Sequence, residues 1–149
     1  MLLIPQIVLF GVTAYQDFKD RAISWYLPLL ILLLGLVSAF VNETILWIDY
    51  FASLSFVVLQ IVGLYAYLAI KKKSIKINLT GEFLGWGDLL FFVAIIPYFG
   101  FKEYVVLLIT GMALSLLAQK IVQIFYRSDS IPLAGWLSIF YGLYMLITV

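Results

Sequence analysis

The chain has 149 residues, of which 65% are hydrophobic and only 11% are charged. Soluble domains are nearer half apolar and a quarter charged, and a chain of this size is too small to bury so much apolar surface. We therefore expect a protein of the lipid bilayer, which excludes a cytosolic enzyme, a nucleic-acid-binding protein and a secreted disulfide-stabilised domain. The sequence has no cysteine and no histidine. Cysteine and histidine catalysis and the usual zinc and haem sites are thereby excluded, and we expect no metal and no cofactor.

Six apolar segments remain when the sequence is cut at its charged residues. A membrane-spanning helix needs roughly 20 mainly apolar residues, and we predict one helix for each segment: 1–16, 24–41, 49–70, 88–101, 103–126 and 130–149. The first segment lacks a basic start and a small-residue cleavage site, so we interpret it as a retained helix and not as a signal peptide. The predicted fold is a single all-α domain, a polytopic membrane bundle of about six transmembrane helices.

The basic residues are divided unequally among the five predicted loops. The first, third and fifth loops with their flanks carry eight lysines and arginines, whereas the second and fourth carry one. The positive-inside rule then places the three basic loops in the cytoplasm and both termini on the extracytoplasmic side. The predicted location is the inner (plasma) membrane, in a multi-pass arrangement.

Two aspartates lie at the predicted cytoplasmic ends of short apolar segments. Asp17 ends the first segment, and Asp88 opens the fourth directly after Gly85-Trp86-Gly87. These segments are about 24 Å and about 20 Å long at 1.5 Å per residue, against about 30 Å for the hydrocarbon layer. The mismatch draws both carboxyl groups below the headgroups, where an ionisable residue is costly and usually functional. Taken alone, Gly-x-Gly-Asp is a weak motif, and an ordinary loop-to-helix turn with Asp88 as the N-cap is then the favoured interpretation.

The motifs around these acids carry a family resemblance. Residues Asp17–Ile23 read Asp-x-Lys-x-Arg-x-Ile, residues Gly85–Asp88 read Gly-x-Gly-Asp, and residues Ile131–Gly135 form a proline-containing start to the last helix. In this order and topology they resemble the type IV prepilin peptidases and the archaeal preflagellin peptidases, which belong to the GxGD class of membrane aspartyl proteases. The resemblance covers essentially the whole chain.

The resemblance implies a catalytic pair formed by Asp17 and Asp88. Two carboxyl groups a few ångströms apart do not both ionise readily, so such a pair shares one proton across a useful pH range. The ionised acid can activate water while the protonated acid donates to the leaving group, with the two roles unassigned. Five neighbouring residues are predicted to shape the site: Lys19 and Arg21 after the first acid, and Gly85, Trp86 and Gly87 before the second.

Some of these neighbours have a second interpretation. Lys19 and Arg21 could instead bind lipid phosphate or fix the topology, and Trp86 could equally be an interfacial anchor. The resemblance also implies a substrate, a prepilin-like membrane protein whose short basic leader is cut at the cytoplasmic face just before its hydrophobic helix. Asp20 and Glu82 are candidate contacts for that leader, although solvated surface acids are the ordinary alternative.

The chain departs from the family pattern at three positions. Ser24 and Trp25 stand where members usually have Pro-Asn, and Leu90 stands where a lysine is common. Larger members carry a cysteine-ligated metal and also methylate the product, whereas this chain resembles the compact peptidase-only form, and we do not expect methyl transfer. Two alternatives stay open: a non-proteolytic membrane protein, such as a transporter subunit or a pilus assembly factor, and an inactive peptidase homologue.

Overall fold

The computed structural model describes residues 3–42, 47–72, 85–125 and 132–148, and all regular structure in these ranges is helical. The helices are α1 (Leu3–Asp20), α2 (Tyr26–Val41), α3 (Trp47–Lys72), α4 (Trp86–Ala94), α5 (Phe101–Phe125) and α6 (Leu133–Thr148), with a 3-10 turn at Ile96–Tyr98. The predicted all-α class is therefore confirmed for the described part of the chain.

Among the residues that the structure describes, two helices are long and apolar enough to cross a membrane. They are α3, with 26 residues, and the first 22 residues of α5. Only 17% and 22% of their most apolar stretches are buried inside the protein, whereas the core helix of a soluble protein would be mostly buried. The apolar surface of both helices faces outward, which is the arrangement that a lipid solvent favours. The six-span bundle and the orientation of the termini stay predictions.

The first helix is longer than predicted, and this changes the position of the first acid. The prediction ended the helix at residue 16, whereas α1 continues to Asp20 and includes Asp17. The helix ends because Arg21 adopts a left-handed conformation, with φ at 53°. Its backbone N–H donates a hydrogen bond to the carbonyl oxygen of Asp17 at 3.0 Å, as in other helices that end at a left-handed residue. Asp17 therefore lies in the last turn of a helix and not in a loop.

The fourth helix is shorter than predicted. The segment 88–101 was expected to be one helix, but α4 ends at Ala94 and a 3-10 turn follows at Ile96–Tyr98. Pro97 explains the difference, because proline has no amide hydrogen and its ring clashes with the carbonyl four residues earlier. The chain can then turn within a few residues into α5, whose first carbonyl acceptor is Gly100.

The core is built where α6 packs along α1. Gly135 lies next to Asp17, and Gly142 lies next to Phe10, so the two helices run antiparallel. Phe10 also contacts the ring of Phe91 from α4 edge-on, with ring centroids 6.1 Å apart. This packing brings the end of α1, the start of α4 and the start of α6 to one end of the bundle.

A glycine on α2 allows the 3-10 turn to pack closely. A Cβ atom on Gly35 would lie 2.5 Å from Cε2 of Tyr98, and that ring is held because its hydroxyl donates to the carbonyl oxygen of Ile31 at 2.8 Å. We expect Gly35→Ala to lower the free energy of unfolding by about 1–3 kcal/mol through overpacking. The measurement is denaturant unfolding in detergent, followed by circular dichroism.

Gly11 on α1 provides the matched control for this prediction. No atom lies within 4 Å of a Cβ built at Gly11, so alanine adds no clash there and raises helix propensity by up to about 1 kcal/mol. We expect Gly11→Ala to be neutral or stabilising. Equal stability of the two alanine variants would contradict the packing described for Gly35.

Candidate active site

The two predicted acids meet at the first turn of α6. The backbone N–H of Gly135 donates to Oδ2 of Asp17 at 2.6 Å, and the backbone N–H of Ala134 donates to Oδ1 of Asp88 at 3.2 Å. The Cα atoms of consecutive residues lie only about 3.8 Å apart, which limits the two bonded carboxyl oxygens to a separation of at most about 10 Å. The two carboxyl groups also interact electrostatically. The structure thus brings together side chains from α1 and α4 that are distant in sequence.

The start of α6 suits two acids for a local reason. The first N–H groups of a helix have no carbonyl partner within the helix, and the aligned peptide dipoles make this end positive. Pro132 directly precedes α6, and its carbonyl oxygen accepts from the N–H of Trp136 at 3.2 Å. The predicted proline-containing start of the last helix is therefore present, with Ile131 itself outside the described residues. Each acid occupies a donor that would otherwise lack a partner.

Asp17 is the only charged side chain that is buried in the part of the chain that the structure describes. It shares the buried face of α1 with Gln6, Phe10 and Thr13, at the spacings of three and four residues that place side chains on one helix face. Arg21, just beyond the helix end, interacts electrostatically with the Asp17 carboxyl group. A buried charge without partners is very unfavourable, and the Gly135 hydrogen bond and the Arg21 charge offset part of that cost.

Asp88 is not the N-cap of its helix. The N-cap is Gly85, and Asp88 is the third residue of α4. Its carboxyl group reaches back to the backbone N–H of Gly85, as the third residue does in a capping box. A Cβ atom on Gly85 would lie 3.2 Å from Oδ2 of Asp88, so glycine leaves room for the acid to fold back. The carboxyl group therefore has donors on both sides, from α4 and from α6.

The two sequence motifs touch each other at Gly87 and Ile23. A Cβ atom on Gly87 would lie 2.9 Å from Cβ of Ile23, a distance that real Cβ contacts do not allow. Glycine at this position therefore lets the start of α4 lie directly against the segment that follows α1. The isoleucine of the first motif and the second glycine of the other thus set the distance between the elements that carry the acids.

The remaining predicted site residues are exposed or lie outside the described residues. Trp86 is 68% exposed, which favours the interfacial interpretation over a wall of the site. Lys19 is exposed and lies over the Tyr15 ring, with its Nζ 5.6 Å from the ring centroid. Asp20 is also exposed, and Glu82 lies outside the described residues.

One of the residues that depart from the family pattern has a structural role here. The side-chain amide of Gln16 donates to Oγ of Ser24 at 2.6 Å, and the Ser24 backbone N–H donates to Oε1 of Gln16 at 3.2 Å. This reciprocal pair ties the segment after α1 back onto the helix, next to Asp17. Trp25 and Leu90 are exposed. Within the described residues, neither forms a hydrogen bond with Asp17 or Asp88.

Sequence reasoning missed the backbone groups of Ala134 and Gly135. Backbone donors leave no side-chain signature, and the available signal was indirect: a proline, a leucine and then two small residues at the start of an apolar segment. Trp136 was also missed. Its ring contacts the Phe18 ring edge-on, with centroids 5.0 Å apart, and Phe18 directly follows Asp17 in the sequence.

Comparisons with models of protein families, with curated proteins and with solved structures find no match for this chain. The fold and the site themselves define a helical protein in which α3 and α5 have outward-facing apolar surfaces and two carboxyl groups form a site at one end of the bundle. Any assignment of function depends on that site and on the motif resemblance.

Proposed function

We propose that this protein is a membrane-embedded aspartyl endopeptidase with Asp17 and Asp88 as its catalytic pair. The observation that supports this most strongly is the convergence of both carboxyl groups on adjacent N–H groups of α6. Acids in an apolar protein are costly and usually serve chemistry or transport. A pair held at fixed donors is the arrangement that acid–base catalysis by two carboxyl groups requires.

The chemistry follows from one proton shared by two carboxyl groups. The ionised acid takes a proton from a water molecule as the water oxygen attacks the peptide carbonyl carbon, and the protonated acid donates its proton to the carbonyl oxygen. The resulting tetrahedral diol then collapses. The acid that took the water proton passes it to the peptide nitrogen while the other acid takes a proton from one diol hydroxyl. The C–N bond breaks as the carbonyl re-forms, and a carboxyl product and an amine product leave. The pair returns to its one-proton state without any further reactant.

The α6 donors contribute by holding one oxygen of each acid. An oxygen fixed by a backbone N–H cannot rotate away, so the other oxygen of each carboxyl group is presented in a constant direction. Backbone donors also need no reorganisation when charge moves within the pair during the reaction. The same two amides therefore fix the positions of the carboxyl groups and stabilise the negative charge that the pair carries.

The proposed substrate is a prepilin-like membrane protein with a short basic leader. The motif resemblance supports this class, and the exposed Asp20 lies one turn from Asp17 on α1, where it can contact a basic leader. The eight-to-one distribution of basic residues supports a site that faces the cytoplasm. The outward-facing apolar surfaces of α3 and α5 support a multi-pass protein of the inner membrane.

The proposed function is tested with the purified protein in detergent and a prepilin-like substrate. We expect one cut between the basic leader and the hydrophobic helix, identified by mass spectrometry of both products, and no cut by the Asp17→Asn/Asp88→Asn double variant. A substrate with its leader lysines and arginines changed to glutamine should be cut more slowly. Equal product formation by the parent and the double variant would reject the proposal.

The same preparation separates the two alternatives. A transporter subunit would carry protons or ions across reconstituted vesicles and leave the substrate intact, because its acids would bind the transported ion. An inactive homologue would show neither transport nor cleavage. Measuring vesicle pH and substrate cleavage on one preparation therefore distinguishes a peptidase and a proton transporter from a protein with neither activity, which is either an inactive homologue or an assembly factor.

A further inference from the structure

A small cavity lies at the end of the bundle opposite to the two acids. It is bordered by the last turns of α2, the first turn of α3 and the 3-10 turn after α4, is partly open to the surface, and has a volume of about 90 Å³. The acids lie at the end of α1 and the start of α4, so the chain direction places this cavity at the other end. Nothing in the proposed peptidase chemistry uses it.

The cavity combines aromatic rings with a single acid. Its lining includes Trp47, Asp49, Tyr50, Tyr98 and Phe99. Oδ2 of Asp49 lies at its edge, 3.6 Å from the position of a Cβ on Gly100. Among the residues that the structure describes, no lysine or arginine forms an ion pair with Asp49. The acid therefore has no cationic partner from the described chain.

We propose that this cavity binds a small organic ammonium group. Aromatic faces attract cations through the ring quadrupole, and rings that surround a substituted ammonium are a recurrent recognition device. The Asp49 carboxylate supplies the charge complementarity that the rings alone do not. The inference is independent of the peptidase proposal, because it involves neither Asp17 nor Asp88.

The size of the cavity limits the ligand. About 90 Å³ is several times the space that one buried water requires, and it is far below the 300–1,000 Å³ of sites for drug-sized molecules. An ammonium carrying methyl or short alkyl groups fits this range. Such a group occurs in phospholipid headgroups, such as phosphatidylethanolamine, and in free amines, and both sources present the same chemistry to the site.

The test for the ammonium site uses choline chloride and the protein in maltoside detergent, which carries no ammonium of its own. Saturation-transfer NMR of the choline methyl signal should show binding, and the uncharged alcohol in which carbon replaces the choline nitrogen should not bind. We expect Asp49→Asn to weaken choline binding by about tenfold or more, because the electrostatic attraction between the Asp49 carboxylate and the choline ammonium is lost. Glu103→Gln is the matched control, because Glu103 is an exposed acid at the start of α5 that does not line the cavity.

A second variant and a lipid-vesicle experiment complete the test. Trp47→Ala removes a largely exposed ring and should weaken choline binding several-fold, which keeps the proposal testable if Asp49→Asn fails to fold. Reconstitution into phosphatidylglycerol vesicles with and without phosphatidylethanolamine, followed by native mass spectrometry, distinguishes a retained headgroup from a free amine. Equal binding of choline and its uncharged analogue, or unchanged choline binding in both variants, would overturn the proposal.

Discussion

We expect that replacing either Asp17 or Asp88 singly with asparagine will lower the initial rate of leader release by the proposed peptidase about 10²–10⁴-fold. This is the range that general acid–base catalysis contributes, and each acid is needed because one must hold the proton while the other accepts one. Asparagine is a suitable replacement, because its amide oxygen can still accept the hydrogen bond from Gly135 or Ala134. The loss of rate should therefore occur with unchanged helical content and unchanged thermal unfolding.

The two single variants show whether both acids take part in the chemistry, which the double variant cannot show. A site that uses one acid for chemistry and the other for structure would lose activity in one variant alone. Glu103→Gln, which removes an exposed acid from the opposite end of the bundle, should keep the parent rate. Retention of a tenth or more of the parent rate by either aspartate variant would rule out a catalytic pair.

We expect Gly135→Ala to slow cleavage by the proposed peptidase about tenfold, and Gly135→Val to slow it about a hundredfold. The new Cβ would lie 3.1 Å from Oδ2 and 3.3 Å from Cβ of Asp17, so the acid must shift from the N–H that holds it. A displacement of about 1 Å in a catalytic group costs about 10²-fold in rate. The kcat for leader release is the quantity to measure, because substrate binding through the leader does not depend on this contact.

Gly142 is the matched control for this effect. It lies on the same helix and faces α1 as Gly135 does, but a Cβ there would be 3.9 Å from Cβ of Phe10, an ordinary contact. Gly142→Ala should therefore keep the parent kcat. Alanine favours helix over glycine by about 1 kcal/mol at either position, so a less stable helix would not explain a slow Gly135→Ala variant. Equal kcat values for the two variants would contradict the proposed role of Gly135.

Sequence reasoning predicted the helical class and the two acids because both depend on local information. Apolar runs between charges located the helices, and an acid at the end of such a run is visible without a structure. The end of α4 was misplaced, because cutting at charges ignores Pro97, which stops the helix by its missing amide hydrogen. The end of α1 was also misplaced, since Asp17, Lys19 and Asp20 are charged yet still helical.

The contacts that assemble the site were beyond local reasoning. The Gly135 donor and its Asp17 acceptor are 118 residues apart, and the backbone groups involved carry no residue-specific signal. The meeting of Gly87 with Ile23 was similarly hidden, because a glycine indicates a permissive backbone but not the partner that comes close. Both contacts require that three helices already be arranged around one another.

The use of α6 as the shared support has a consequence for biosynthesis. The chain is made from its amino end, so the helices that carry the two acids are translated before the helix whose amides hold them. A nascent chain that has not yet produced residues 134 and 135 has both carboxyl groups but no fixed arrangement for them. The site is thus completed only after α6 has been translated, and for the proposed peptidase we expect a nascent chain without α6 to be inactive.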